Sequence, residues 1–475
     1  MGVLTGCKPR KEVLKGDLDD AIFAADFGDL IAGKAPKVYK DPKTFFQNTH
    51  AAKQLSKVVR AIFERLANTK EGGATIRLST GFGGGKTHTL MALWHLGKNI
   101  DDLSMGTELL PAAGRPKKVT VIAVDAGKAG VPEFNTHGRV KIHSLWGEIF
   151  FLMGGEKALK ALGKADDPEA SPSEDQIEAA FPDGPVLLLI DELVIYMAKL
   201  SERGQGNLMG FINNLAAAVR KRRQTVLIVT DPAGQAAYAR HASRLAKATE
   251  EDAEKLDEIF GRKMTDFDPI GGESAQVIVR RLFEKVDPDA AQASSATYFN
   301  LYKRVSQETP GLIPPSAASA DYAKQIVTCY PFHPRLLETA RDRLGALQDF
   351  QKSRGVLRLF ARILRDAWEA KEDLELISAG EIDWSSSRIQ ADLLQRLNRD
   401  NFKAAVSADI EKHAAELDGD SRRGVHRRAA SALLLESLPM QPNSGMDPAD
   451  LTLATLRPEE AGPEPSEALD RLLGV

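Results

Sequence analysis

Ser79-Thr80-Gly81-Phe82-Gly83-Gly84-Gly85-Lys86-Thr87-His88 is the stretch from which the fold can be read. It follows a short apolar run at 74–79 and opens a helical pattern at 86–97, which predicts a strand, a glycine turn and a helix start. Four of the five residues 81–85 are glycine. Without Cβ atoms, successive backbone N–H groups can turn toward one point, and the helix opening near Lys86 adds the positive end of its dipole there. This is the chemistry of a phosphate-binding loop. Gly81, Phe82, Gly83, Gly84, Gly85, Lys86, Thr87 and His88 would form the cradle for the phosphates of a nucleotide. Lys86 would reach the β- and γ-phosphates, and the Thr87 hydroxyl would hold Mg2+. Thr80 stands where the pattern G-x-x-x-x-G-K-[ST] has its first glycine, so Gly81 must supply that turn. A glycine-rich surface turn is the alternative without chemistry.

Working outward, further short apolar runs occur at 119–124, 186–190 and 226–229, with a weaker one at 264–270. Helical patterns at 86–97, 143–162, 206–223 and 233–260 lie between them. Strands apolar on both faces, alternating with helices, predict an α/β sandwich of five parallel strands. Two of these strands end in polar residues. Pro185-Val186-Leu187-Leu188-Leu189-Ile190-Asp191-Glu192 places two carboxylates at the carboxyl edge of the sheet, where ligands of such sheets bind. Asp191 would hold Mg2+ through water and Glu192 would polarise the attacking water. Both residues also suit strand-end caps. Thr225-Val226-Leu227-Ile228-Val229-Thr230-Asp231 ends similarly, and Thr230 or Asp231 can serve either the γ-phosphate or, with Pro232 following, a helix N-cap.

The 475 residues suffice for about three domain-sized units. Hydrophobic residues at 43% and charged residues at 27% provide for a real core and exclude disorder over most of the length. Lys plus Arg (63) and Asp plus Glu (66) nearly cancel, so any nucleic-acid surface must be local. The densest basic clusters are Arg220-Lys221-Arg222-Arg223 and Arg422-Arg423-Gly424-Val425-His426-Arg427-Arg428, each a candidate DNA contact or a solvated face. Two cysteines, Cys7 and Cys329, exclude a disulfide framework and fit a reducing compartment. No apolar run approaches the roughly 20 residues of a membrane span, so a cytoplasmic protein without membrane contact is expected.

Apolar spacing divides the chain into an N-terminal helical segment (1–70), a core with the glycine loop (71–272), a helical lid (273–370) and a C-terminal helical region (371–475). Helices are expected at 50–68, 273–285, 316–329, 334–347, 355–370, 390–397, 401–416 and 425–437. The last residues, Arg471-Leu472-Leu473-Gly474-Val475, fall inside an apolar helical pattern, as in a fragment of a longer protein.

The order of glycine loop, Asp-Glu strand, polar strand end and helical unit resembles the AAA+ ATPases. That resemblance implies a five-stranded parallel P-loop sandwich, an all-α lid and a helical, winged-helix-like C-terminal region. It also implies roles for two arginines. Arg262, in Phe260-Gly261-Arg262-Lys263-Met264, stands where the family places its arginine finger. Arg358, in Arg354-Gly355-Val356-Leu357-Arg358, stands where a lid helix carries a second sensor arginine. Either can instead be an ordinary helix-face arginine. A narrower resemblance rests on Lys8-Pro9-Arg10-Lys11-Glu12-Val13-Leu14, Tyr39-Lys40-Asp41-Pro42-Lys43-Thr44-Phe45-Phe46, the stretch from Gly81 to Leu90, Leu145-Trp146-Gly147-Glu148-Ile149, Tyr330-Pro331-Phe332-His333-Pro334 and the stretch from Asp349 to Leu359. These stretches are similar to a large bacterial AAA+-like ATPase family, long a domain of unknown function, encoded beside DNA methyltransferases and helicases in anti-phage defence islands. The resemblance implies ATP hydrolysis, a homo-oligomer, and DNA or a methyltransferase or helicase as partner. An ATP-binding scaffold or sensor with little turnover is the alternative, and the pair Asp191-Glu192 favours hydrolysis over it. A small-molecule kinase is disfavoured by the long lid and the two candidate trans-acting arginines.

Overall fold

The computed structural model describes residues 2–14, 23, 25–80, 85–102, 106–112, 114–232, 265–267, 273–347, 350, 353–371, 373–419, 421, 423–440 and 445–474. Two compact units emerge, one of residues 24–273 and one of residues 1–23 with 274–475.

The first unit is built on a parallel sheet. Its strands are β1 (Ala74–Thr80), β2 (Thr120–Asp125), β3 (Val186–Asp191), β4 (Thr225–Pro232) and the short β5 (Thr265–Phe267). They lie side by side in the order β2-β3-β4-β1-β5, every pairing parallel. The expected strands therefore form, with β4 inserted between β3 and β1. Alternate residues feed two different cores. Leu187, Leu189, Val226 and Ile228 pack with Val59, Ile62, Phe63, Leu90 and Leu93 on one face. Leu188, Ile190, Leu227 and Val229 pack with Trp146, Ile149, Phe211, Ile212 and Leu215 on the other. Each fully buried side chain of this kind contributes about 1.5–3 kcal/mol. The sheet is thus held by both covers.

The covering helices include Lys53–Ala67, Lys86–Lys98, Leu145–Leu162 and Glu202–Lys221. Lys53–Ala67 lay in the expected N-terminal segment, but its apolar stripe is part of the sheet's core. Leu145–Leu162 is interrupted at Gly154-Gly155, where Gly155 takes φ +64°. The expected helix at 233–260 lies outside the described residues.

In the second unit one hydrophobic core runs from Val3 and Cys7 through Leu282, Tyr302, Phe360 and Trp384 to Leu456. The segments expected as lid and C-terminal region therefore share a core, along with the first residues of the chain. The expected helix at 273–285 stops at Leu282, because Phe283–Val286 pairs antiparallel with Cys7–Pro9. Tertiary pairing overrides local helical spacing there. Long helices follow at Pro288–Glu308, Ala320–Cys329, Ser353–Ala370 and Val425–Ser437. Among the described residues no strand forms after Val286, so the hairpin that a winged helix needs is not built. Among the described residues, too, no helix is long and apolar enough to cross a membrane.

Buried charge in this unit is paired. Asp392, 2% exposed, meets Arg358 Nε at 3.0 Å, Arg362 Nε at 2.6 Å and Arg396 Nε at 3.5 Å. Removing the shared carboxylate leaves Arg358 buried without its counter-charge. Asp392→Ala should therefore lower the unfolding free energy by about 3–5 kcal/mol. The urea midpoint of the full chain measures this, and a loss under about 1 kcal/mol would mark the cluster as effectively solvated.

Candidate active site

The parallel register brings several polar strand ends to one edge of the first unit. β1 runs toward the glycine loop, whose residues Gly81, Phe82, Gly83 and Gly84 lie outside the described residues. Gly85 follows at φ +94° as N-cap of the helix Lys86–Lys98, a conformation glycine adopts without a Cβ penalty. Lys86 and Thr87 therefore occupy the helix's first turn, at the positive end of its dipole. His88 turns to the N-terminal part of this unit. Its Nε2 lies 2.9 Å from Thr49 Oγ1 and its ring stacks on Phe45 at 4.5 Å between centroids. About two turns on, His95 Nε2 lies 2.7 Å from the Tyr39 carbonyl oxygen. Both histidines fasten the helix to residues 39–49.

β3 ends in Asp191, 4% exposed, and the chain leaves it through Glu192 at φ +53°, ψ +39°. For a glutamate this left-handed conformation costs about 1–3 kcal/mol and needs surrounding support. Thr230 of β4 supplies it. Its hydroxyl donates to Asp191 Oδ1 and accepts from the Glu192 N–H at 3.2 Å. Thr230 is 2% exposed, and its register partner in β1 is Leu78. The hydroxyl therefore stands between the acidic pair and the strand that leads to Lys86. Thr230 meets the acidic pair directly, and the helix that it or Asp231 would cap lies outside the described residues.

A third carboxylate joins them, and the sequence reading missed it. Asp125 ends β2 in register with Asp191, and the Ala126 N–H donates to the Asp191 carbonyl at 3.0 Å. Its signal in the sequence was the same as that of Asp191, an apolar run closing on an acid. Burial raises the Asp125 carboxyl, helped by Asp26, while Lys128 opposes it. Lys128 in turn donates to Asp26 at 2.6 Å and Asp29 at 2.7 Å. Asp191 is pushed up to about 7, chiefly by burial and further by Glu192 and Asp125, against the Thr230 hydrogen bond and the charge of Lys86. The Lys86 effect places that ammonium within electrostatic reach of the acidic edge. Among the described residues, no group of three or more His, Cys, Asp or Glu is disposed to hold a metal ion unaided.

The remaining expected residues lie elsewhere. Arg262 lies outside the described residues. Arg358 belongs to the second unit, where it is 2% exposed and meets Asp392. Among the described residues of the basic clusters, several meet the protein's own acids and carbonyls. Lys221 meets Glu174 and Glu178, and Arg222 donates to the Pro182 carbonyl. Arg423 meets Glu381 at 2.9 Å, Arg428 meets Glu460, and Arg427 donates to the Ser421 carbonyl.

Residues 3–259 match the DUF499 N-terminal domain and residues 271–461 match the DUF499 second domain. The chain belongs to the DUF499 family. An uncharacterized protein of Archaeoglobus fulgidus is 42% identical over 59 residues, which span 12% of this chain and 78% of that protein. The junction of the two family domains, between 259 and 271, falls close to the boundary of the compact units at 273.

The raised Asp191 carboxyl carries a stability signature. Its ordinary value is 3.8 and in the fold it is about 7, so the folded state binds a proton that the unfolded chain has released. Stability from this group is full below about pH 4 and is lost as pH rises through about 7. Without nucleotide or divalent cations, the thermal midpoint should fall over that window. Asp191→Asn, which cannot ionise, should flatten the profile, and an unchanged slope would assign it to another group.

Proposed function

We propose that this chain is an ATP-hydrolysing P-loop ATPase of AAA+ type. The carrying observation is the Thr230 hydroxyl, which joins Asp191 and the Glu192 amide on a strand inserted between β3 and β1. That insertion gathers the acidic pair and the lysine-bearing helix start at one carboxyl edge, the position where open parallel sheets take ligands. A sheet edge built only for stability has no need to crowd carboxylates toward a lysine.

In this reading the amides of the loop from Gly81 to Gly85, with Lys86 and the helix dipole, take the triphosphate. Thr87 and Asp191 would hold Mg2+, which when bound screens the phosphate charge and orients the β- and γ-oxygens. The donor set fits that ion. A hydroxyl and a carboxylate suit a hard cation that keeps several waters and takes its other oxygens from phosphates. Glu192, exposed and set by its left-handed backbone, polarises the attacking water. Thr230 keeps Asp191 and Glu192 in mutual register as charge develops. Arg262 and Arg358 remain the candidates from family resemblance for stabilising that charge, with Arg262 acting on a neighbour in a homo-oligomer. The same resemblance places the hydrolysis in switching or remodelling within a bacterial anti-phage or DNA-modification system, with DNA, a methyltransferase or a helicase as partner.

Two variants test the reading. Lys86→Ala should abolish binding of a fluorescent ATP analogue, because it removes the charge aimed at the terminal phosphates. Unchanged affinity would sink the assignment of the loop. Glu192→Gln should bind ATP like the parent and release phosphate about 10²–10⁴-fold more slowly. Phosphate release at the parent rate would show that water is activated elsewhere.

A further inference from the structure

Beside Glu192 runs the loop of residues 126–130, which leaves the end of β2. An ideal Cβ built on Gly127 would fall 2.9 Å from Glu192 Cβ and 3.3 Å from Asp125 Oδ1, and it would also press on the Glu192 carboxylate. The first distance is closer than real Cβ atoms approach, and Glu192 cannot swing clear at its root. Its backbone is in the left-handed region, and its N–H meets both Thr230 Oγ1 at 3.2 Å and Asp191 Oδ1 at 3.1 Å. Gly127 is not among the positive-φ residues, so the demand for glycine is one of space and not of backbone conformation.

The loop itself is tied down. Gly127 N–H donates to Asp125 Oδ1 at 3.0 Å. Lys199 Nζ donates to the Gly127 carbonyl at 2.6 Å and to the Ala129 carbonyl at 2.8 Å. Lys199 lies just beyond the helix Leu193–Met197, which begins immediately after Glu192. The segment that carries Glu192 thus reaches back and fastens the wall against which Glu192 rests. On the far side Lys128 is fixed to Asp26 and Asp29.

We propose that Gly127 is a positioning residue for Glu192, and that Lys199 holds the loop in place so that the glutamate keeps one orientation. The proposal rests on the reading of Glu192 as the group that polarises water. A carboxylate displaced by even about 1 Å can lose on the order of 10²-fold in rate while substrate binding is untouched.

Phosphate release and the KM for ATP, with thermal midpoints, test it on the full chain. Gly127→Ala should lower kcat at least about 10-fold with KM within about twofold of the parent. Lys199→Met should lower kcat by a smaller factor, and Lys199→Arg should restore most of it. In single-turnover measurements on Glu192→Gln protein, adding Gly127→Ala should cause no further loss, because the effect runs through the group already removed. If Glu192→Gln hydrolyses like the parent, the underlying reading fails. If Glu192→Gln is slow while Gly127→Ala keeps the parent kcat, the positioning role alone is overturned. An additive loss in the double variant overturns it too. Should Gly127→Ala lower the thermal midpoint, Lys199→Met decides, and a parent kcat there overturns the proposal.

Discussion

β3 is buried along its whole length, and its one ionisable side chain, Asp191, stands at its last position. Val186, Leu187, Leu188, Leu189 and Ile190 alternate between two apolar cores, and a carboxylate among them would face desolvation with no partner. The first position where charge is tolerable is Asp191. Because β2 and β4 run parallel and in register, their first tolerable polar positions, Asp125 and Thr230, arrive at the same edge. The crowding of chemistry there is a consequence of covering the sheet on both faces. One hydroxyl then converts adjacency into order, since Thr230 fixes the carboxylate of one acid and the backbone of the next.

The N-terminal residues of the first unit serve this edge from behind. His88 and His95 lie on the same helix as Lys86, and their contacts with Thr49, Phe45 and Tyr39 fix that helix against the sheet. Lys128 links the loop after β2 to Asp26 and Asp29 in the same segment. The residues of the candidate site are thus held by residues far from them in sequence. The left-handed backbone of Glu192 has its own support in the Thr230 hydroxyl.

Local periodicity made much of the sheet and its covering helices legible. Glu202–Lys221 and Val425–Ser437 fall where apolar spacing puts them, and four strands end within a few residues of the expected positions. What escaped was set by distant partners. Phe283–Val286 reads as helix until Cys7–Pro9 is beside it. The cluster Arg422 to Arg428 reads as a basic surface until Glu381 and Glu460, well removed in sequence, claim Arg423 and Arg428. The pairing of Arg358 with Asp392 was likewise not legible in either stretch alone. Asp125 carried a visible signal, but its meaning depends on β2 neighbouring β3, and strand order is not written in any single strand. Gly127 carried none, because a glycine needed for space looks like any other glycine.

Some buried carboxylates of this protein are compensated by arginines and others are not. In the second unit Glu381 meets Arg423 and Arg457, Glu436 meets Arg335 and Arg343, and Asp392 meets three arginines. Burial pushes Glu381 upward, yet Arg457, Arg423 and Arg428 hold it below its ordinary range. These three carboxylates are compensated by arginines, whereas burial raises Asp366 in the same unit. At the sheet edge Asp191 is met by a hydroxyl and an amide, with Lys86 in electrostatic reach and two further carboxylates opposing it, and its carboxyl rises instead. Selection for stability alone favours the first arrangement, since an under-compensated buried acid costs folding free energy. Asp125 and Asp191, both raised by burial, lie at that edge with Glu192 and the start of the Lys86 helix, and perturbed acids in such a place mark a candidate site.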